Sequence, residues 1–179
     1  MREKPILMST PMVRAILDGR KTETRRIIKP QPVSGKKYVN HRISTIEWVE
    51  GLPRCPYSVD RLWVKETFAL SGGIGVKGSE TVHYRANEDL GFMSIWKPSI
   101  FMPRWASRIT LKVLGVHVER LHEIDNIGAS AEGTPDLRTM ENGWDMRRCY
   151  LELWEQINGP GSWLANPWVW VVKFERVQP

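Results

Sequence analysis

Cysteine is scarce in this 179-residue chain: Cys55 and Cys149 form no Cys-x-x-Cys pair and no disulfide framework. Histidine is nearly as rare. His41, His83, His117 and His122 are scattered without metal-ligand spacing, so a zinc centre is not expected and the expected metal and cofactor content is none. No apolar run approaches the length of a membrane span, and the N-terminus lacks the apolar core of a secretory signal. The cytoplasm is therefore the expected location. The chain also has no Walker loop, no His-Glu-x-x-His and no Gly-x-Ser-x-Gly, which removes the P-loop, zinc-protease and serine-hydrolase motif classes. Neither an internal repeat nor a strand–helix alternation is present, so a parallel doubly wound sheet is disfavoured.

Tryptophan, by contrast, is abundant, with nine residues. Most are expected in the core, since large aromatics carry much of a domain's buried area, and some are candidates to stack on a base. The net charge of +6 is concentrated near the N-terminus: residues 1–40 hold ten Lys or Arg against three acids, while the remainder is nearly balanced. That excess suits an anionic or nucleotide-like partner, and equally a solvated basic surface.

The pattern along the chain predicts an edge strand near residues 4–8, a helix opening at Thr10-Pro11, and a strand over 22–28. Further strands are expected over 43–49, 61–70, 80–85, 108–121 and 167–177, with a bulge or bend at Gly115. A short helical segment over 125–133, capped by Asp125 and closed by Gly133, and a long helix over 143–157 complete the set. Residues 29–60 and 71–106 carry the proline- and glycine-rich insertions, the second being a candidate lid. The length fits one domain spanning residues 1–179. The predicted class is α+β, mainly β: a small mixed β-barrel with peripheral helices.

The most informative stretch runs from Leu17 to Arg26. A helix stops at Gly19, and Lys21, Thr22, Glu23, Thr24, Arg25 and Arg26 open the next strand with almost nothing but polar side chains. One reading is a solvated edge strand whose charges deter aggregation. The other is a site where an amine, hydroxyls and guanidinium groups converge. In the strand over 61–70, Glu66 falls on the apolar face with Leu62, Val64 and Phe68, which calls for a paired carboxylate or a rim position. Glu132 falls at the last turn of its short helix, where the dipole disfavours an anion without a specific partner.

These residues resemble the ASCH-domain family, whose fold is related to the PUA domain. The likeness runs through Gly19-Arg20-Lys21-Thr22, Arg26, Asp60-Arg61-Leu62-Trp63-Val64, Ala131-Glu132-Gly133 and the closing strand from Trp168 to Arg176. Trp105-Ala106-Ser107-Arg108 and residues 158–163 are similar to longer prophage and phage members. The family signature is Gly-x-Lys-x-x-Glu-x-Arg. Gly19, Lys21 and Arg26 match it, but Thr24 stands where the signature has Glu. In this departure the chain is similar to the bacterial N4-acetylcytidine amidohydrolases, which share Gly-Arg-Lys-Thr, one residue, then Thr.

The resemblance implies a PUA-like barrel, RNA or nucleotide chemistry, and a catalytic set of Lys21, Thr24 and Glu132. The implied substrate is an N4-acylated cytosine nucleoside or nucleobase, with RNA as a further candidate partner. Amide hydrolysis needs a nucleophile, a proton carrier and stabilisation of the oxyanion. Thr24 is a nucleophile with Lys21 as its base, or Glu132 activates water while Lys21 polarises the carbonyl. Arg26, Trp63, Lys65, Glu66 and Trp105 are the candidate substrate-binding residues. On a regular strand Lys21 and Thr24 point to opposite faces, so Lys21 is required to lie in the turn after Gly19 or before a bulge. A non-catalytic RNA-binding module and a ribonuclease using the same cleft are the alternatives.

Overall fold

The computed structural model describes residues 1–32, 53–72, 80–87, 95–134 and 146–177. Seven strands and three α-helices fall within them: β1 (Glu3–Leu7), α1 (Thr10–Leu17), β2 (Glu23–Ile27), β3 (Arg61–Lys65), β4 (Phe68–Ser71), β5 (Thr81–Tyr84), β6 (Thr110–Arg120), α2 (Asn126–Ala131), α3 (Met146–Asn158) and β7 (Trp168–Arg176). Five strands make one mixed sheet in the order β1-β3-β6-β7-β2, in which the β1–β3 pair is parallel and the other pairs antiparallel. β4 and β5 form a separate hairpin. The class is α+β. Among the described residues the sheet's ladder does not close into a barrel: β1 and β2 remain its edges. A side chain, rather than a ladder, links them, as Arg26 Nη2 of β2 donates to Leu7 O of β1 at 2.7 Å.

β7 explains why the sheet is covered on both faces. Its strict alternation sends Trp168, Trp170, Val172 and Phe174 to one cluster and Val169 and Val171 to another. The first cluster takes in Ile6, Leu62, Val64, Leu111, Val118 and, from α1, Val13 and Ile16. The second holds Leu121, Ile124, Ala129, Trp163 and, from α3, Tyr150 and Trp154. In β6 the register shifts between Val113 and Gly115: these two face the consecutive residues Phe174 and Lys173 of β7, so Leu114 is the inserted residue of a bulge. The bulge expected at Gly115 is thus present, and its effect is legible. Leu111 and Val113 before it, and Val116 and Val118 after it, all reach the same cluster, which an unbroken two-residue period would not allow.

Several local expectations shift by a residue or change kind. α1 is capped by the backbone of Ser9 rather than by Thr10, with no side-chain capping bond, and Gly19 takes the left-handed turn at φ 75°. The strand expected over 61–70 is two strands. β3 stays in the main sheet, whereas β4 leaves it after Glu66 and Thr67 to pair with β5. The strand expected over 43–49 lies outside the described residues, as does the start of the helix expected over 143–157. In the candidate lid, residues 99–101 and 104–106 form single 3-10 turns that pack with β4 and β5 around Phe68, Met102 and Ala106. No described helix is long and apolar enough to cross a membrane.

Candidate active site

The sequence around Gly19 sets the site's geometry. Gly19 turns the chain out of α1, and Arg20 and Lys21 both donate their backbone N–H to Ala15 O at 2.9 Å. Lys21 therefore sits ahead of β2, not in it. There it forms an isolated antiparallel bridge with Glu132, extended by Thr22 N donating to Ala131 O at 2.8 Å. Lys21 thus meets the condition its sequence spacing imposed. Glu132 is delivered from the other side by α2, which Asp125 caps by accepting from Gly128 N at 2.7 Å. Gly133 follows at φ 76°, and a Cβ there would lie 2.7 Å from Ala15 Cβ and 2.8 Å from Lys21 Cβ. A residue with no side chain is what lets α1, Lys21 and Glu132 come this close.

Lys21 and Glu132 are each 2% exposed. The Lys21 ammonium donates to Glu132 Oε2 at 2.6 Å, to Glu132 O at 2.8 Å and to Glu23 O at 2.9 Å, which uses all its protons. Glu132 Oε1 accepts from the backbone N–H of Arg25 at 2.6 Å, from Arg25 Nη1 at 3.4 Å and from Tyr150 Oη at 3.3 Å. The anion at the end of a helix has the specific partners its position demanded. Arg25 in turn is held by Glu119, whose Oε1 lies 2.7 Å from Arg25 Nε.

The electrostatics follow from burial and these pairings. Burial pushes the Lys21 amine below its ordinary value; the Glu132 carboxylate opposes this, and Arg26 and Arg25 add to it. Burial, and then the neighbouring Glu132, push the Tyr150 phenol well above its ordinary value, so it remains a proton donor to Glu132. Burial works against Glu119 ionising, but its bond to His117 and the charge of Arg25 leave its carboxyl below the usual value. For Arg25 burial is likewise the opposing influence, overcome by Glu119 and Glu132.

A cleft with about 370 Å³ of empty space, including its open mouth, adjoins this cluster. It is lined by Thr24, Arg25, Arg26 and Ile27 of β2, Met12 of α1, Glu132, and Tyr150, Trp154, Ile157 and Asn158 of α3. Thr24 is 1% exposed yet lines the cleft, and among the described residues no hydrogen bond occupies its hydroxyl. Edge strand β2 is therefore not the solvated strand its composition allowed: Thr24 and Arg25 are both buried, Thr24 on the face of the sheet that α1 packs against and Arg25 against α2 and Glu119.

The other candidate residues divide. Arg26 lines the cleft beside Thr24. Trp63, Lys65, Glu66 and Trp105 do not. Lys65 and Arg104 both stand 5.7 Å from the Trp63 ring, Lys65 Nζ donates to Ile100 O, and Trp105 is 61% exposed next to Arg104. Glu66 is buried in a bidentate pair with Arg108 at 3.0 Å, and Arg108 stacks 3.9 Å from the Tyr84 ring. Trp63 and Lys65 belong to β3, Glu66 follows it and Trp105 lies in a single 3-10 turn; none of the four lines the cleft.

Sequence reasoning missed Arg25, Tyr150 and Trp154 as site residues. Arg25 was hidden within a charged run, and Tyr150 and Trp154 within the packed face of α3. The available signal was that α3 presents hydroxyl and indole groups on its buried side. Among the described residues no group of three or more His, Cys, Asp or Glu could hold a metal ion. Comparison with family models, curated proteins and solved structures finds no match.

Proposed function

We propose that the chain is an amidohydrolase that removes the acyl group from N4-acylated cytosine or cytidine through Lys21, Thr24 and Glu132, without a metal, on an ASCH-type PUA-like fold. The observation that carries this reading is the water-excluded Lys21–Glu132 pair, 2.6 Å long, beside a cleft that Thr24 and Glu132 both line. A structural ion pair needs neither a lysine depressed by burial nor a cleft alongside it.

The lining favours one division of labour. Glu132 reaches the cleft, whereas Lys21 does not and has its protons committed to Glu132 and Glu23. Glu132 thus carries the proton at the substrate, and Lys21 fixes the carboxylate's orientation. Glu132 takes the proton of the attacking oxygen, which is Thr24 Oγ1 or a water held on it. That oxygen bonds the acyl carbon while the carbonyl electron pair moves onto oxygen. Collapse of the adduct breaks the bond to N4, and Glu132 returns the proton to the leaving amine. When Thr24 attacks, water then hydrolyses the threonine ester; when water attacks, the free acid leaves directly.

Ultraviolet-monitored turnover of N4-acetylcytidine tests this. Wild type is expected to turn over, with losses of about 10²-fold or more in Lys21→Ala, Thr24→Ala and Glu132→Ala. A burst of cytidine ahead of free acetate identifies the ester route. No turnover by wild type across acetyl, propionyl and benzoyl amides would overturn the reading. One observation favours RNA binding instead: exposed Trp105 and Phe101 flank Arg104, which with Lys65 lies over Trp63. RNA affinity that falls steeply with salt, unaccompanied by amide turnover, would support that module.

A further inference from the structure

Among the described residues, the indole nitrogens of Trp96, Trp154 and Trp168 are buried with no hydrogen-bond partner. Buried indole N–H groups ordinarily find an acceptor, so each needs an explanation. Arg120 stacks on the Trp168 ring and Arg85 on the Trp96 ring, and neither tryptophan lines the cleft. Trp154 does, together with Thr24, Glu132 and Tyr150.

The placement of Trp154 follows from α3. It lies four residues beyond Tyr150, one helical turn along the same face, with the two ring centroids 6.1 Å apart. The Tyr150 hydroxyl is taken by Glu132 Oε1. The Trp154 indole, 3% exposed, is a donor without an acceptor. Met12, Ile27 and Ile157 supply apolar walls around it. A neutral donor between apolar walls suits a neutral acceptor on a flat body, and the Thr24 hydroxyl waits in the same cleft.

We propose that Trp154 determines ligand specificity here: its indole N–H holds a carbonyl oxygen of a planar amide-bearing ligand. The identity of the ligand as an N4-acylcytosine rests on the amidohydrolase reading; the subsite itself does not. Two carbonyls of that ligand have the right chemistry, the acyl oxygen and the oxygen on the pyrimidine ring.

The test is a titration of indole-¹⁵N-labelled protein with N4-acetylcytidine and, separately, with cytidine. The Trp154 signal is assigned by its loss in Trp154→Phe, or by nuclear Overhauser contacts to Tyr150 if that variant does not fold. The expected result is a downfield shift of the Trp154 indole proton and an affinity at least about fivefold weaker in Trp154→Phe, the scale of one lost hydrogen bond. Affinity is read as KM where turnover occurs and as Kd from the titration where it does not. A shift with both nucleosides assigns the ring oxygen, and a shift with the acetylated one alone assigns the acyl oxygen. A shift without turnover keeps the subsite and removes the amidohydrolase reading. Turnover with an unmoved Trp154 signal at saturation, or unchanged affinity in Trp154→Phe, overturns the subsite and leaves that reading standing. No response to either nucleoside overturns both.

Discussion

The protein buries two carboxylates beside cationic partners, and they differ in what surrounds the pair. Glu132 and Glu66 are 2% and 1% exposed, and each is held by short bonds, to Lys21 in one case and to Arg108 in the other. Arg108 is a planar fork that grips Glu66 through two parallel bonds. Lys21 is a single amine whose burial lowers its hold on the proton. Glu132 also lines a cleft together with Thr24, whereas the Glu66 carboxylate is gripped by Arg108, which lies over the Tyr84 ring, and the Glu66 backbone N–H faces Met102 Sδ. Burial and pairing are common to both. A lysine partner lowered by burial, and an adjoining cleft, belong to one.

The largest effect that follows is on catalysis. Glu132→Gln keeps the shape of the side chain and removes its capacity to carry a proton, so N4-acetylcytidine turnover should fall by about 10³-fold. Glu66→Ala should act on stability instead. It leaves Arg108 beside an apolar wall without its counter-charge and should cost about 3 kcal/mol by urea titration, at the low end for a buried pair because Arg108 is partly exposed. Turnover per folded molecule should stay within about threefold of wild type, well inside the several-decade losses that define a proton carrier.

Gly133→Ala sharpens the comparison from the backbone side. It places a methyl group against Ala15 and Lys21 at a positive φ, and should cost about 2 kcal/mol while loosening the Lys21–Glu132 bridge. Calorimetry with parallel turnover would reveal both losses. Replacement at Glu66 should give the stability loss alone.

Acid reports on the bracing behind Glu132. The Glu119 carboxyl is held below the usual 4.5, so its contribution is fully present above that pH and is lost as pH falls through its folded value. Glu119→Gln should therefore flatten the acid limb of the stability curve below about pH 4.5, read by urea titration across that range. The smallest effect is expected at the exposed pair Lys112–Glu175, where Lys112→Ala should change stability by no more than about 0.5 kcal/mol.

Much of this was legible beforehand, for identifiable reasons. The β6 bulge, the α2 cap at Asp125 and the closing strand follow from local periodicity and turn chemistry. Lys21, Thr24 and Glu132 became candidates through the family resemblance; that an anion at a helix C-terminus demands a partner was legible by itself, and Lys21 is that partner. Glu66 was read as a paired carboxylate or a rim position, and it is paired, with Arg108 and away from the cleft lining. A one-dimensional pattern reports that a charge is buried, not which end of a five-stranded sheet it sits on. The roles of Arg25, Tyr150 and Trp154 were invisible for the same reason, since α3 meets β2 only through the tertiary fold. The break between β3 and β4 was missed because the apolar alternation runs unbroken from Leu62 to Phe68, although the backbone changes sheet at Glu66.

The most direct test measures Glu132→Gln and Glu66→Gln side by side, on the same preparations, for N4-acetylcytidine turnover and for the midpoint of urea unfolding. The predicted result is a difference in turnover and not in midpoint. Glu132→Gln should lose about 10³-fold in turnover per folded molecule and also lower the midpoint, since it leaves the buried Lys21 without its counter-charge. Glu66→Gln should lower the midpoint while retaining turnover. Equal turnover in the two variants, or loss in Glu66→Gln alone, would contradict the assignment of the chemistry to the Lys21–Glu132 cleft.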